Sequence, residues 1–238
     1  MRFDVLTIFP EIISSYASES ILKRGQKAGA IVITAHNFRD FATDKHHSVD
    51  DSPYGGGPGM VLKVEPIYHC LQSIGVLRNQ KSKIKNLKSK IIIMDPAGKK
   101  FDQKMAKKFS KLERLVMICG RYEGFDERIY KFVDEKISIG DYVLSGGELA
   151  ALVVLEATAR LVPGVLGKQE SLKEETFARA EYVEYPQYTR PAEFMGMKVP
   201  KLLLSGDHKK IKEWRESKSK RAVWLLPKNW SYVNIKVC

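Results

Sequence analysis

The sequence predicts an α/β fold on a mostly parallel sheet, and three observations carry that prediction. Apolar runs of strand length recur along the chain, helix-forming segments follow them, and three of the later runs end in glycine-containing loops. The first unit is "FDVLTIF" at 3–9 and "AIVIT" at 30–34, with Pro10 placed to open a helix that ends near Gly25. The next is "IIIMDPAG" at 91–98, an apolar run ending in a turn, followed by a helix with Asp102 as cap and Met105, Phe109 and Leu112 on one face. "LVMICG" at 115–120 and "KISIG" at 136–140 are two further strands, and "ELAALVVLEATAR" at 148–160 is an apolar helix. Parallel sheets of this kind bind ligands at the carboxyl ends of their strands. The loops "DPAG", "CGRYEG" and "GDYVLSGG" therefore predict a shared pocket, although glycine after a strand is common and no GxGxxG fingerprint is present.

With 238 residues, 44% hydrophobic and 29% charged, the chain reads as a globular protein able to bury a full core. Forty Lys and Arg against 28 Asp and Glu leave a net charge of +12, which favours a polyanionic partner, nucleic acid first. Cys70, Cys119 and Cys238 have no paired spacing, so a disulfide framework is not expected and a reducing compartment is. Asp4 interrupts what would be the apolar core of a signal peptide, and no run reaches the roughly 18 apolar residues of a spanning helix. The expected location is the cytoplasm, with no membrane partner.

"DDSPYGGGPGM" at 50–60 poses the sharpest local question. Its glycines suggest a phosphate cradle, but the Lys and Ser or Thr of that motif are missing after the last glycine. His46 and His47 stand beside Asp44, Asp50 and Asp51, yet adjacent histidines do not point at one metal, and no metal site is assigned. After Pro163 and Gly164 comes a polar stretch without periodicity, with four Glu inside 170–181, which reads as a linker. It offers Glu174 and Glu175, while Arg160 ends the preceding helix. A carboxylate can take a proton from a weakly acidic N–H if an arginine stabilises the charge that develops.

Beyond the linker, residues 201–228 carry nine Lys or Arg and three acids, together with Trp214 and Trp224. They predict a small helical domain with tryptophans in its core and a basic face for nucleic acid. A second basic run, "RNQKSKIKNLKSK" at 78–90, has six basic residues and reads as a solvated loop.

The blocks "PYGGGPGM", "CGRYEGFDER", "SIGDYVLSGGE", "RLVPGVLGKQES", "YPQYTRP" and "LLSGDHKKIKEWR" occur in the order in which bacterial tRNA (guanine-N1-)-methyltransferases carry them. The chain resembles that family over nearly its whole length. The resemblance implies a knotted α/β domain at 1–166 with a deep trefoil knot, a flexible linker at 167–186 and a helical tRNA-binding domain at 187–238. It implies S-adenosylmethionine, held by Met94, Asp95, Pro96 and Gly98, by Gly120 and Glu123, and by Ile139, Gly140, Asp141, Tyr142, Val143, Leu144, Gly146 and Gly147. Glu123 would face the sulfonium or a magnesium ion.

The implied reaction is methyl transfer to N1 of the guanine immediately 3′ of the anticodon, guanosine-37. Arg160 matches the family's catalytic arginine, and Glu175 stands where the family's general base is typically an aspartate. Asp50, Gly55, Gly57 and Gly59 would approach the target guanine. Arg2, Lys63, Lys198 and the basic stretch 209–221 are candidates for tRNA phosphates, and a homodimer with active sites at the interface is expected. Two rivals stay open: a non-catalytic RNA-binding protein on the same fold, and a phosphate-binding enzyme resting on the glycine loop.

Overall fold

The computed structural model describes residues 1–77, 88–167, 174–178 and 182–221. The chain divides into two compact units, Met1–Gly167 and Lys168–Cys238.

The first unit opens with β1 (Arg2–Thr7), α1 (Pro10–Ala17), α2 (Ser20–Lys27) and β2 (Val32–Asn37). The single helix expected from Pro10 to Gly25 is thus two, because the chain breaks at Ser18 and Glu19 and Ser20 takes a left-handed φ of 49°. The exposed carbonyl of Ala17 at the break accepts from Gln26 Nε2 at 2.8 Å, so the second helix caps the first. A 3-10 turn at Phe38–Phe41 leads to β3 (Asp50–Asp51), which pairs antiparallel with β4 (Val61–Leu62). "DDSPYGGGPGM" is therefore the closed end of a short ribbon. α3 (Val64–Ser73) follows.

β5 (Ser89–Lys100) is longer than the apolar run that announces it, and the turn expected at "DPAG" is instead a bulge within a continuing strand. Met94 and Lys99 both register with Ile137, and the four residues between them bow away from the sheet. α4 (Gln103–Phe109) begins as expected, with the Asp102 side chain accepting from Met105 N at 2.7 Å. β6 (Arg114–Ile118), a 3-10 turn at Glu127–Phe132, β7 (Glu135–Ser138) and α5 (Glu148–Ala159) complete the unit.

The sheet runs β2-β1-β6-β5-β7 and every pairing in it is parallel. Both faces are buried, as parallel sheets require. Phe3, Val5, Ile92, Met94, Leu115 and Met117 point to the face that also buries side chains of α1, α2, α4 and α5. Leu6, Ile91, Ile93, Val116 and Ile118 point to the other, under α3 and the first 3-10 turn. This strict alternation is the period of two that the apolar runs conceal.

In the second unit, β8 (Tyr182–Val183), β9 (Glu193–Phe194) and β10 (Met197–Lys198) precede a 3-10 turn at Lys201–Leu204. α6 (His208–Lys218) and β11 (Lys220–Arg221) follow, with β9 pairing β10 and β8 pairing β11. Asp207 caps α6 by accepting from Lys210 N at 3.1 Å. Trp214 is partly buried and its ring lies 6.4 Å from that of Tyr188. Trp224, Trp230 and most of the basic run at 78–90 lie outside the described residues.

Candidate active site

Three chain segments converge at the bulge of β5 and beyond the carboxyl ends of β6 and β7, and they line a cavity of about 450 Å³. Met94, Asp95 and Pro96 come from the bulge of β5, Gly120 and Glu123 from the loop after β6, and Ile139, Gly140, Tyr142, Val143, Leu144, Gly146 and Gly147 from the loop after β7. Gly98 and Asp141, also expected there, are not among the lining residues. Gly98 passes against β7, where a Cβ would come 2.5 Å from Ile137 N. Asp141 points away to Lys100, whose Nζ lies 2.5 Å from its Oδ2.

The two loops after β6 and β7 are joined by backbone. Gly147 N donates to Gly120 O at 2.9 Å, and a Cβ on Gly147 would meet Gly120 N at 2.8 Å and Cys119 Cα at 2.9 Å. Such close approach leaves no room for any side chain at position 147. Cys119 beside it is fully buried, and burial raises its thiol well above the ordinary range, so it is no nucleophile.

Sequence reasoning missed four residues that shape this cavity. Arg121 lines it and lies with its guanidinium over the Phe9 ring at 4.6 Å. Arg121 Nη2 is 2.9 Å from Oε2 of Glu148, the buried first residue of α5. Thr7, the last residue of β1, donates to Glu148 Oε1 at 2.7 Å. Among the described residues, Arg121 Nε and Glu148 Oε2 are buried without a well-formed hydrogen bond. Tyr130, the fourth, donates to Asp95 Oδ2 at 2.8 Å, and Lys136 Nζ sits 3.4 Å from the centre of its ring. Burial, with the Asp95 carboxylate beside it, pushes the Tyr130 phenol up, so it stays a donor that fixes Asp95. One signal for Glu148 was available, a carboxylate opening a largely apolar helix; Thr7 carried none.

The glycine loop meets the cavity through Glu123. Glu123 N donates to Met60 O at 3.0 Å, Leu62 N donates to Gly124 O at 2.9 Å, and a Cβ on Gly59 would lie 2.4 Å from Glu123 Cγ. Asp50, Gly55 and Gly57 lie outside the cavity lining, with Asp50 in β3 and the glycines in the exposed loop. Arg160 caps the C-terminal end of α5, its N–H donating to Glu156 O at 3.1 Å. In the second unit, Glu175 is half-buried and its carbonyl accepts from Ala178 N at 2.9 Å, while Phe177 N donates to Tyr182 O at 2.7 Å. Tyr185 OH donates to Glu174 Oε2 at 3.4 Å.

The cavity suits a ligand that is largely apolar and carries positive charge. Its volume lies within the roughly 300–1,000 Å³ of small-molecule sites. Met94, Ile137, Ile139 and Leu144 supply apolar walls, while Asp95, Glu123 and Glu127 outnumber Arg121 among the charged lining.

Fold and cavity together define an α/β protein of the class that holds its ligand at the carboxyl ends of parallel strands. Comparison with known proteins narrows the class. The chain belongs to the family described as tRNA (Guanine-1)-methyltransferase TrmD, whose profile matches residues 1–228. It is 52% identical over 220 residues to the tRNA (guanine-N(1)-)-methyltransferase of Carboxydothermus hydrogenoformans, covering 92% of this chain and 83% of that one. Similar proteins of the same name occur in Limosilactobacillus reuteri, at 49% identity over 93% of this chain and 86% of that one, and in Citrifermentans bemidjiense, at 50% over 93% and 86%. The protein is a methyltransferase enzyme. Among the described residues, no helix is long and apolar enough to cross a membrane.

Proposed function

We propose that the chain transfers a methyl group from S-adenosylmethionine to N1 of guanosine-37, the guanine immediately 3′ of the anticodon in tRNA. The observation that carries this reading is the cavity itself, walled by the three loops that the sequence singles out and lined by more carboxylates than cations. The residues present fit the cofactor. Backbone groups of the loop after β7 suit adenine, the apolar walls suit a sandwiched ring, and Glu123 suits a sulfonium cation. When bound, S-adenosylmethionine supplies an electrophilic methyl carbon.

Guanine N1 carries a proton in the neutral base, so it must lose that proton as it attacks. Glu175 accepts it, and the Arg160 guanidinium stabilises the negative charge that spreads to O6. Glutamate keeps the carboxylate and adds a methylene relative to aspartate, so the role is retained with a longer reach. Asp50, Gly55, Gly57 and Gly59 line the approach of the target base. Among the described residues no cluster of three or more His, Cys, Asp or Glu has the geometry to hold a metal, so a magnesium ion would be held mainly by water and one carboxylate such as Glu123.

The rest of the reading follows the family. A deep trefoil knot near the C-terminal edge of the sheet is proposed on the likeness to the family alone. A linker at 167–186 is proposed on the likeness to the family, and a tRNA-binding domain at 187–238 is supported by the basic content of α6. A homodimer is supported by Ile12, Tyr16, Leu149 and Val153, large side chains left exposed on the contacting helices α1 and α5. The cytoplasm, where tRNA is modified, is the proposed location.

The test is radiolabelled methyl transfer to an unmodified tRNA transcript, with a transcript changed at the target guanine as control. Labelling of the first and not the second is expected, whereas binding without labelling would show a non-catalytic RNA-binding protein. Glu175→Gln should lose most transfer, by about 10²- to 10⁴-fold as for a general base, and keep cofactor and tRNA binding. Near-normal single-turnover rates in that variant would reject the base assignment.

A further inference from the structure

The second unit holds a groove of about 430 Å³ that neither the cavity nor the reaction uses. One wall is α6, where His208, Ile211, Lys212 and Arg215 recur at the three- and four-residue spacing that puts them on one face. The other wall is the extended segment 185–190, whose Tyr185 is buried and carries the Arg215 guanidinium 4.9 Å above its ring. Leu203 and Val199 add apolar surface. Tyr188 is 49% exposed, and its ring is tilted 56° to that of Trp214.

The charges are one-sided. Arg190, Lys212 and Arg215 line the groove beside His208, and among the described residues no Asp or Glu lines it. Aromatic rings interleaved with arginine and lysine, in a concave site without carboxylates, match one ligand chemistry better than any other. An unpaired nucleobase offers two π faces to the rings and an adjoining phosphate to the cations. Bases inside a duplex hide those faces.

We propose that this groove is a stacking site for a single unpaired RNA base, seated against Tyr188 and Trp214, with Lys212 and Arg190 on the flanking phosphates. The proposal rests on the reading of the chain as a tRNA-modifying enzyme and adds to it which residues of the second unit hold an unpaired RNA base. It separates two contributions to affinity: stacking, which needs an unpaired base, and charge, which any nucleic acid satisfies.

The experiment uses the full chain without cofactor and measures fluorescence anisotropy of a labelled RNA hairpin with an unpaired loop, against a blunt duplex of equal charge, over a series of salt concentrations. Tyr188→Ala and Trp214→Leu should each weaken hairpin binding about 5- to 100-fold, the range that base–aromatic stacking supports. Duplex binding and the salt dependence should not move. Lys212→Ala should weaken both RNAs and reduce the salt slope by about one. Trp214→Phe should restore most of the hairpin affinity.

Equal losses on hairpin and duplex, or none from the aromatic variants, would overturn the proposal, as would tighter binding of a phosphopeptide than of the hairpin. Tyr188 is half-exposed, so Tyr188→Ala keeps the test valid even if Trp214→Leu fails to fold. A protein that methylates tRNA but shows no hairpin preference overturns the groove alone. One that shows the aromatic-dependent preference but transfers no methyl supports the groove and overturns the reaction reading.

Discussion

Two buried carboxylates stand on opposite faces of the same sheet, and they are satisfied to different degrees. Asp4 points from β1 to the α3 side and is fully buried. It accepts from Arg2 Nε at 3.0 Å and Arg114 Nε at 2.7 Å, and His36 Nε2 lies 2.7 Å away. Arg114 also donates to the last turn of α3 through Ile74 O at 3.0 Å. Glu148, on the α5 side, has one short hydrogen bond from Thr7 and one arginine at contact distance without good alignment. A carboxylate surrounded by donors holds strands in register. One left partly satisfied behind a cavity-lining arginine is coupled through it to what fills the cavity.

That contrast can be broken in order of expected effect. Asp4→Asn leaves the Arg2 and Arg114 guanidiniums facing a neutral amide and should cost about 3–5 kcal/mol of stability, as breaking a buried ion pair does. Chemical denaturation measures it, and the S-adenosylmethionine affinity of the folded fraction should be unchanged. Gly147→Ala forces a methyl into the backbone of Gly120 and should cost about 1–3 kcal/mol by overpacking. In that variant calorimetry should show cofactor binding lost as well, because the two loops separate.

Glu148→Gln keeps an acceptor for Thr7 and removes the charge facing Arg121. It should cost only about 1 kcal/mol of stability but weaken S-adenosylmethionine binding roughly tenfold, a loss of about 1.4 kcal/mol. A stability loss as large as that of Asp4→Asn, with unchanged cofactor affinity, would erase the distinction between the two sites.

The most gradual effect is in pH. Burial alone would raise the Asp4 carboxyl, but hydrogen bonds from His36, Arg2 and Arg114 outweigh it and hold the group well below the usual carboxylate range. A depressed folded value means its stabilisation is complete above the unfolded value, near pH 4, and is lost as pH falls toward the folded one. Unfolding free energy should therefore decline below about pH 4 by up to roughly 1.4 kcal/mol per pH unit from this group. In Asp4→Asn that component of the slope should vanish.

Much of the sheet was legible because β1, β5 and β6 are buried on both faces, so that their centres read as apolar runs, broken in β1 only by Asp4. Asp102 announced α4 because capping is a local interaction. The break between α1 and α2 was not legible, since "SES" contains neither Gly nor Pro and the capping Gln26 reaches back nine residues to Ala17. The second half of β5 was hidden because Lys99 and Lys100 look like loop, and only pairing with β7 makes them strand.

The site divides in the same way. Its glycine loops stood out by composition, and twelve of the fourteen residues expected to hold the cofactor line one cavity in the structure. Gly98 did not, because a glycine needed for close strand passage looks the same in sequence as one needed for a ligand. Arg121, Thr7 and Glu148 come from three separate elements, and their meeting is a property of the topology rather than of any motif.

The double registration of β5 on β7 has a consequence for how this protein can vary. The bowed residues Asp95–Gly98 are tied to Ile137 at both ends, through Met94 and through Lys99. Most surface loops absorb an extra residue at little cost. Here an insertion must either slide Lys99 and Lys100 along β7, turning their side chains over, or push the bow into the cavity. The length of this wall is as constrained as its composition, and a natural insertion there is expected only alongside a matching change in the loop after β7.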